Sequence, residues 1–138
     1  MQKRKLRRKS RQNCLQVLYS NEIANIKVED ILSGDVTLPY IEELDDYACN
    51  LIKGSIENQK EIDDILSGVS ENWSVNRMPI VDKCLLRQSV FEMMYVEDVP
   101  ISVSINESVE LAKQFGGDDE SHKFVNGVLG KIAKKIEK

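Results

Sequence analysis

Apolar residues recur along this 138-residue chain at the three- and four-residue spacing of an α-helix, and only three prolines and seven glycines interrupt them. Side chains at i, i+3, i+4 and i+7 share one face of a helix, whereas a half-buried strand alternates apolar and polar residues. Three such stripes are Ile41, Leu44, Ala48, Leu51 and Ile52; Ile62, Ile65, Leu66, Val69 and Trp73; and Val125, Val128, Leu129, Ile132 and Ile136. The pattern predicts an all-α protein.

One segment differs from these stripes because it is apolar nearly all round. It runs from Pro79 to Val96, and a helix of that kind is expected to be buried at the centre of the protein. A short helix is expected over residues 28–32, ended by Gly34. About seven helices with short connections predict a helical bundle of two small subdomains, within one domain over residues 1–138.

The bounds of the next helix are predicted from its terminal residues. In the segment "SINE", Ser104 and Glu107 have the spacing of a capping box, so a helix should begin near Ile105. The segment "FGG" should end it, because Gly116 or Gly117 can adopt the left-handed conformation that closes a helix. The last helix then follows the loop "GDDES".

Charge is distributed unevenly along the chain. Residues 3–11, "KRKLRRKSR", hold seven basic side chains and no acidic one, while the rest of the chain holds 12 basic and 23 acidic residues. We call residues 3–11 the basic head, and we expect it to be continuous with the first helix. A local positive patch concentrates polyanions even when the net charge is negative, so nucleic acid and anionic lipid are the candidate ligands.

Four arginines of the basic head, Arg4, Arg7, Arg8 and Arg11, fall on a single helical face. Guanidinium groups donate paired hydrogen bonds to phosphate and stack on bases, so this face predicts contact with RNA. One alternative is a solvated, frayed terminus. A membrane-surface helix is the other, but it needs large apolar residues opposite the charges, and the first eleven positions offer only Met1 and Leu6.

Two aromatic side chains are candidates for RNA contact, because single-stranded RNA is commonly bound by stacking its bases on aromatic rings. Tyr19 lies at the flank of the arginine face, where base stacking, contact with a partner and the edge of the core are all open. Phe124 lies about a quarter turn from the centre of the last apolar stripe, which allows partial exposure but favours the core.

Catalytic and metal-binding chemistry finds little support in the sequence. The single histidine, His122, is expected in the first turn of the last helix, where the helix dipole disfavours its charged form. The cysteines Cys14, Cys49 and Cys84 are widely spaced among apolar residues, as reduced core thiols are. We therefore expect no enzyme, no metal and no cofactor. With no apolar run long enough for a membrane span or a signal peptide, a cytoplasmic protein is expected.

Four blocks of the sequence resemble one known family. They are "RRKSRQNCLQVLY", "VDKCLLRQSVFEM", "DVPISVSINESVELAKQFG" and "SHKFVNGVLGKIAKKI", and they occur in the family's order over nearly the whole chain. In these blocks the sequence is similar to the transcription antitermination factor family NusB. The resemblance implies an all-helical fold of two small bundles. It also implies a pair with the small ribosomal protein NusE that binds single-stranded boxA RNA and joins the RNA polymerase elongation complex through other Nus factors.

The resemblance also implies roles for particular residues. The arginine-rich start of the family corresponds to Arg7, Arg8 and Arg11, with Arg4 as an additional cation, and these are expected to contact RNA. Tyr19 and Asp82 correspond to positions that face the ribosomal protein, and an exposed Asp82 would complement a basic partner surface. In the last helix, the candidates for RNA contact or packing between lobes are Lys123, Phe124 and Asn126.

Two other functions remain open from the sequence. The same helical domain resembles the RNA-binding N-terminal part of a family of ribosomal RNA cytosine methyltransferases, although no dinucleotide-binding fingerprint occurs here. The fold could also serve only as a protein-interaction module, with dispensable arginines. A homodimer that covers the RNA face is a further testable state of the antitermination factor.

Overall fold

The computed structural model describes residues 3–70 and 74–136, with side chains from residue 5 onward, so Trp73 lies outside the described residues. Within those ranges the chain forms α-helices and one short 3-10 helix, without strands. The helices are α1 Lys3–Ala24, α2 Val28–Leu32, α3 Asp46–Glu57, α4 Gln59–Val69, α5 Ile80–Tyr95, α6 Ile101–Phe115 and α7 Ser121–Ala133. This confirms the predicted all-α fold.

Helix α5 is the centre of the bundle, as its uniform hydrophobicity predicted. Every residue from Asp82 to Met93 is buried, and α1, α3, α4, α6 and α7 all pack against this helix. Helices α1 and α3 contact each other, α6 and α7 contact each other, and both pairs meet on α5. The buried apolar side chains of these helices form one continuous cluster, which holds the two groups of helices together.

Helix α3 packs closely against α5 at Gly54. A Cβ atom at this position would lie 2.0 Å from the ring of Phe91, closer than any real contact. Gly54 therefore provides the space that the aromatic ring of α5 occupies. Glycine is needed here because it has no side chain, and not because the backbone has a left-handed φ.

The predicted start of α6 is wrong. The helix begins at Ile101, directly after Pro100, whose carbonyl accepts a hydrogen bond from the Ser104 amide at 3.2 Å. Pro100 already has the φ of a helix and its missing N–H costs nothing at a helix start, so the chain turns there. Ser104 lies buried inside the helix and makes no capping box with Glu107.

The start of α3 and the conformation that ends α6 differ from the predictions. Helix α3 begins at Asp46, because the carboxylate of Asp45 caps the Ala48 amide at 2.8 Å, so Ile41 and Leu44 precede the helix. Helix α6 ends at Phe115 as expected, but Gly116 has a φ of −58° and is not left-handed. By contrast, Gly34 has a φ of +89° just after α2, in agreement with its predicted role.

Candidate nucleic-acid interface and the α1–α6 groove

The basic head is the first part of α1, which continues without a break to Ala24. Arg7 donates to the carboxylate of Asp98 at 2.9 Å, and its guanidinium lies 4.3 Å from the centre of the Tyr47 ring. Arg8 donates to the carboxylate of Glu107 at 3.1 Å, yet 56% of its side chain remains exposed. Both arginines are thus held in defined positions by the body of the protein.

Arg11 does not join an exposed RNA-binding face, and this corrects the prediction. Its side chain is 6% exposed, its Nε donates to Glu92 at 2.9 Å, and its Nη1 lies 3.8 Å from Glu107. The amide of Gln88 donates to the Arg11 carbonyl oxygen at 2.9 Å. The reason is that α1 docks on the core from Ser10 onward, about one turn earlier than its hydrophobic residues indicated.

Tyr47 completes this buried ionic network. Its hydroxyl group donates a hydrogen bond to the Glu92 carboxylate. Burial and that hydrogen bond raise the pKa of Tyr47 above its ordinary value, so the phenol stays protonated and remains a donor. Side chains of α1, α3, α5 and α6 meet here, and the network fixes the orientation of the basic head on the bundle.

Among the side chains of the basic head that the structure describes, residues 5–11, three cations remain available to a ligand. Lys5 and Lys9 are exposed and lie one helical turn apart, and the half-exposed Arg8 lies between them along α1. We call Lys5, Arg8 and Lys9 the basic edge. Arg4 belongs to α1, but its side chain lies outside the described residues.

The α7 candidates lie on a different element. Lys123 and Asn126 are exposed, and Lys123 forms an ion pair of 3.1 Å with Glu120. Phe124 is half-buried and packs against the hydrophobic core, as its position at the edge of the stripe favoured. Lys123 and Asn126 are therefore the two accessible side chains of this set.

A groove of about 400 Å³ lies beside the second half of α1. It is lined by residues of α1, the loop before α3, the start of α5 and the end of α6: Lys9, Gln12, Asn13, Leu15, Gln16, Tyr19, Tyr40, Val81 and Phe115. Tyr40 and Phe115 are exposed aromatic side chains, 91% and 43% respectively. We call this the α1–α6 groove. Tyr19 lies in it, half-buried, and not on the basic edge.

A polar depression of about 210 Å³ adjoins this groove along the same two helices. It is lined by Arg8, Gln12, Glu107, Glu110, Leu111 and Gln114, so Gln12 belongs to both. The surface between α1 and α6 therefore changes from charged at Arg8 to aromatic at Tyr19. Sequence reasoning missed Glu107 and Phe115 as site residues, since both were read as parts of helix ends.

Asp82 is buried, with 2% of the residue exposed, and the expectation of an exposed carboxylate is wrong. One carboxylate oxygen accepts from the Gly117 amide at 3.0 Å, and the other accepts from the Ser121 hydroxyl at 2.9 Å. The loop between α6 and α7 folds over the first turn of α5 and covers this side chain. Its neighbour Val81 lines the groove instead.

The other buried charges of α5 also serve the fold. Arg87 donates two parallel hydrogen bonds of 2.8 Å to Asp63, and a third of 3.2 Å to Glu22. Lys83 donates to the same Glu22. The hydrogen bond from Lys83, together with the charge of Arg87, lowers the pKa of the Glu22 carboxyl group. This cluster joins α1, α4 and α5.

The three cysteines are free thiols, and Cys14 and Cys84 are buried. Burial raises the pKa of Cys84 to about 11 and also raises that of Cys14, so both remain protonated at neutral pH. Among the side chains that the structure describes, no cluster of three or more His, Cys, Asp or Glu is placed to hold a metal ion. No helix in residues 3–70 and 74–136 has the length and hydrophobicity that crossing a membrane requires.

The sequence of this helical bundle is similar to those of known proteins. The NusB family model matches residues 8–134. The chain belongs to the NusB family. Two relatives named transcription antitermination protein NusB illustrate the similarity. That of Bacillus velezensis is 41% identical over 135 residues, covering 95% of this chain and 98% of the relative. That of Bacillus subtilis is 40% identical over 135 residues, covering 95% and 97%.

Solved NusB structures share the fold. NusB from T. maritima has a TM-score of 0.81 and 37% sequence identity, over 94% of this chain and 91% of that one. The NusB chain from a crystal structure of antitermination factors NusB and NusE in complex with dsRNA has a TM-score of 0.80 and 26% identity, over 94% and 97%. The predicted membership of the NusB family and the helical architecture are thereby confirmed.

Proposed function

We propose that this protein is an RNA-binding transcription antitermination factor. In this role it binds single-stranded boxA-like RNA together with the small ribosomal protein NusE, and supports processive elongation by RNA polymerase together with other Nus factors, including during ribosomal RNA transcription. Membership of the NusB family supports the antitermination role. A structural neighbour that contains NusB and NusE in complex with dsRNA supports NusE and RNA as the classes of partner. The observation in this chain that carries the proposal is the basic edge on a rigid helix.

The RNA contact is built on the basic edge. Arg8 keeps more than half of its side chain exposed while Glu107 fixes its direction, so its free N–H groups can bind phosphate without a large loss of side-chain freedom. Lys5 and Lys9 add two mobile charges beside it. Arg4 on the preceding turn extends the same surface, and Arg7 contributes when it exchanges Asp98 for a phosphate. Lys123 and Asn126 form a second, separate contact on α7, with Phe124 supporting them from the core.

The partner contact is built on the α1–α6 groove. Tyr19, Tyr40 and Phe115 offer aromatic surface there, which is the side-chain chemistry enriched at the centres of protein interfaces. In the adjoining depression Glu110, whose side chain is 58% exposed, offers a carboxylate to a ribosomal protein, a class of partner that is commonly basic. One continuous surface of α1 and α6 thus serves RNA at the basic edge and protein at the aromatic groove and Glu110.

The test is fluorescence anisotropy with a boxA-like single-stranded RNA and a scrambled RNA of equal length, across a salt series, with and without NusE. Neutralising three or four phosphates gives a slope of log affinity against log salt of about −2 to −3. We expect preference for the boxA-like RNA, increased by NusE. Equal, weak binding to both RNAs that NusE leaves unchanged would contradict the proposal.

The second candidate is a protein-interaction module that does not depend on RNA. It is favoured by the pairing of Arg7, Arg8 and Arg11 with carboxylates of the same chain, which leaves fewer free cations than the sequence indicated. This candidate predicts that NusE binds through the α1–α6 groove and that RNA leaves the affinity for NusE unchanged. The methyltransferase alternative is less favoured, because the two antitermination relatives are covered over 97–98% of their length.

Three further parts of the proposal follow from this role. An antitermination factor acts by binding, so we infer that the protein is not an enzyme. It acts where transcription takes place, so we place it in the cytoplasm. A homodimer that covers the basic edge would be an inactive state, and sedimentation over a range of concentrations tests it, since a monomer at all concentrations removes it.

A further inference from the structure

The carboxylate of Asp82 joins the beginning of α5 to the loop between α6 and α7. It accepts hydrogen bonds from the Gly117 amide at 3.0 Å and from the Ser121 hydroxyl at 2.9 Å. Both donors are neutral groups. The side chain lies in the first turn of α5, where the helix dipole favours a negative charge, and Ser121 is itself 1% exposed. The carboxylate therefore holds a loop from within.

The loop that it holds has little freedom to move. The Asp118 amide donates to the Ser121 hydroxyl at 3.0 Å, and the Glu120 amide donates to the Asp118 carboxylate at 2.7 Å. A Cβ atom added to Gly117 would lie 2.6 Å from Pro79, so the loop backbone rests directly on the residue that precedes α5. Removing the Asp82 carboxylate takes away the acceptor of both the Gly117 amide and the Ser121 hydroxyl at once.

The held elements carry two walls of the α1–α6 groove. Val81 lies next to Asp82, and Phe115 lies two residues before Gly117, at the end of α6. Both line the groove, as Tyr19 does. The distance between the Val81 wall and the Phe115 wall is therefore set by the hydrogen bonds of Asp82, although Asp82 does not line the groove itself.

We propose that Asp82 is a positioning residue of the protein-partner site. It sets the place of Phe115 in the α1–α6 groove and makes no ion pair with the partner. This inference rests on the proposed function of the groove. It also differs from the charge-complementarity role expected from the sequence, because a buried acceptor acts through shape and an exposed carboxylate would act through charge. The two roles respond differently to removal of the charge.

The decisive comparison is Asp82→Asn against Asp82→Ala, measured as NusE affinity by isothermal titration calorimetry. The asparagine oxygen accepts from the Gly117 amide and its NH2 group donates to the Ser121 hydroxyl, so the loop keeps both links without the charge. We expect Asp82→Asn to bind within about threefold of wild type and Asp82→Ala to lose about tenfold or more. Phe115→Ala should lose a similar amount, and adding it to Asp82→Ala should cost little further, because both act on one wall.

A second readout needs no partner. Amide hydrogen exchange of Gly117 should accelerate in Asp82→Ala and stay slow in Asp82→Asn, while Ser121→Ala breaks one link and should give an intermediate rate. Equal loss of NusE binding in the asparagine and alanine variants, with Gly117 protected in the former, would show a direct charge contact and overturn the inference. Wild-type protein that does not bind NusE would instead overturn the proposed function and leave the exchange result interpretable.

Discussion

The guanidinium of Arg11 and the carboxylate of Glu92 lie 2.9 Å apart, and each side chain is at least 94% buried, although 81 residues separate them in the chain. A buried ion pair contributes little net stability, but removing one partner leaves a charge without compensation. This pair fixes α1 to α5 next to Tyr47 and Glu107. Arg11 thus supports the proposed RNA-binding surface from within and is not part of it.

Replacing Arg11 with alanine should therefore lower stability more than it lowers RNA affinity. We expect a loss of about 3–5 kcal/mol in the free energy of unfolding, measured by urea denaturation. Lys113→Ala is the control, since its exposed pair with Glu110 at 3.3 Å should be worth at most about 1 kcal/mol. A stable Arg11→Ala protein with weakened RNA binding would restore Arg11 as a direct RNA contact.

Removing the basic edge should have the opposite result. In the triple variant Lys5→Ala, Arg8→Ala and Lys9→Ala, RNA affinity should fall while the melting temperature changes little, because all three side chains are exposed and Arg11 remains 3.8 Å from the Glu107 carboxylate. If each contacts one phosphate, the slope of log affinity against log salt should become shallower by about 2. Anisotropy over a salt series measures both quantities.

The control for that experiment removes three exposed lysines elsewhere, Lys27, Lys53 and Lys60. Both triple variants remove three positive charges. The control removes three lysines, whereas the test variant removes two lysines and an arginine. An equal fall in RNA affinity in this control would mean that net charge, and not the basic edge, governs binding.

In the proposed RNA contact, Asp98 would compete with RNA for Arg7, so replacing Asp98 should strengthen RNA binding. Asp98→Asn removes the charge that pairs with Arg7 at 2.9 Å, while stacking on Tyr47 keeps the guanidinium in place. The pair is partly solvated, and its loss should increase RNA affinity about two- to fivefold, the size of an exposed ion pair. Unchanged affinity would show that Arg7 does not reach the RNA.

Gly54→Ala tests the contact between α3 and α5. The added methyl group collides with the Phe91 ring, so we expect a loss of about 1–3 kcal/mol in the free energy of unfolding. Gly68→Ala is the matched control, because a Cβ atom there meets nothing within 4 Å and alanine favours the helix by about 1 kcal/mol. Thermal melts of the two variants should shift in opposite directions.

The cluster around Glu22 predicts how stability depends on pH. Its carboxyl pKa is lower in the folded protein than its ordinary value of 4.5, mainly through the hydrogen bond from Lys83. As the pH falls, Glu22 binds a proton in the unfolded state before it does so in the folded state. The stabilisation is therefore complete above the ordinary pKa of 4.5 and is lost as the pH falls through the lowered pKa of the folded state. Glu22→Gln should show a flatter stability curve in that acid range than wild type. Glu57→Gln, at an exposed position, should keep the wild-type slope.

The helices themselves could be predicted because their apolar periodicity is local. The starts of α3 and α6 could not be placed correctly, since Asp45 and Pro100 compete with nearby residues that carry similar end signals. The pairing of Arg11 with Glu92 depends on the tertiary fold and leaves no local trace. One signal was available in α5: charged residues such as Asp82 and Arg87 within a helix that is otherwise apolar all round must be buried with partners.

Because α1 is one unbroken helix, it fixes the distance and the angle between the basic edge and the α1–α6 groove. Arg8 and Tyr19 lie eleven residues apart, which is about 16 Å along the axis and about three turns, so both point to nearly the same side. Adding a single residue between them would rotate one about 100° away from the other. In the proposed function, the length of this stretch therefore sets the angle between the bound RNA strand and the bound protein partner.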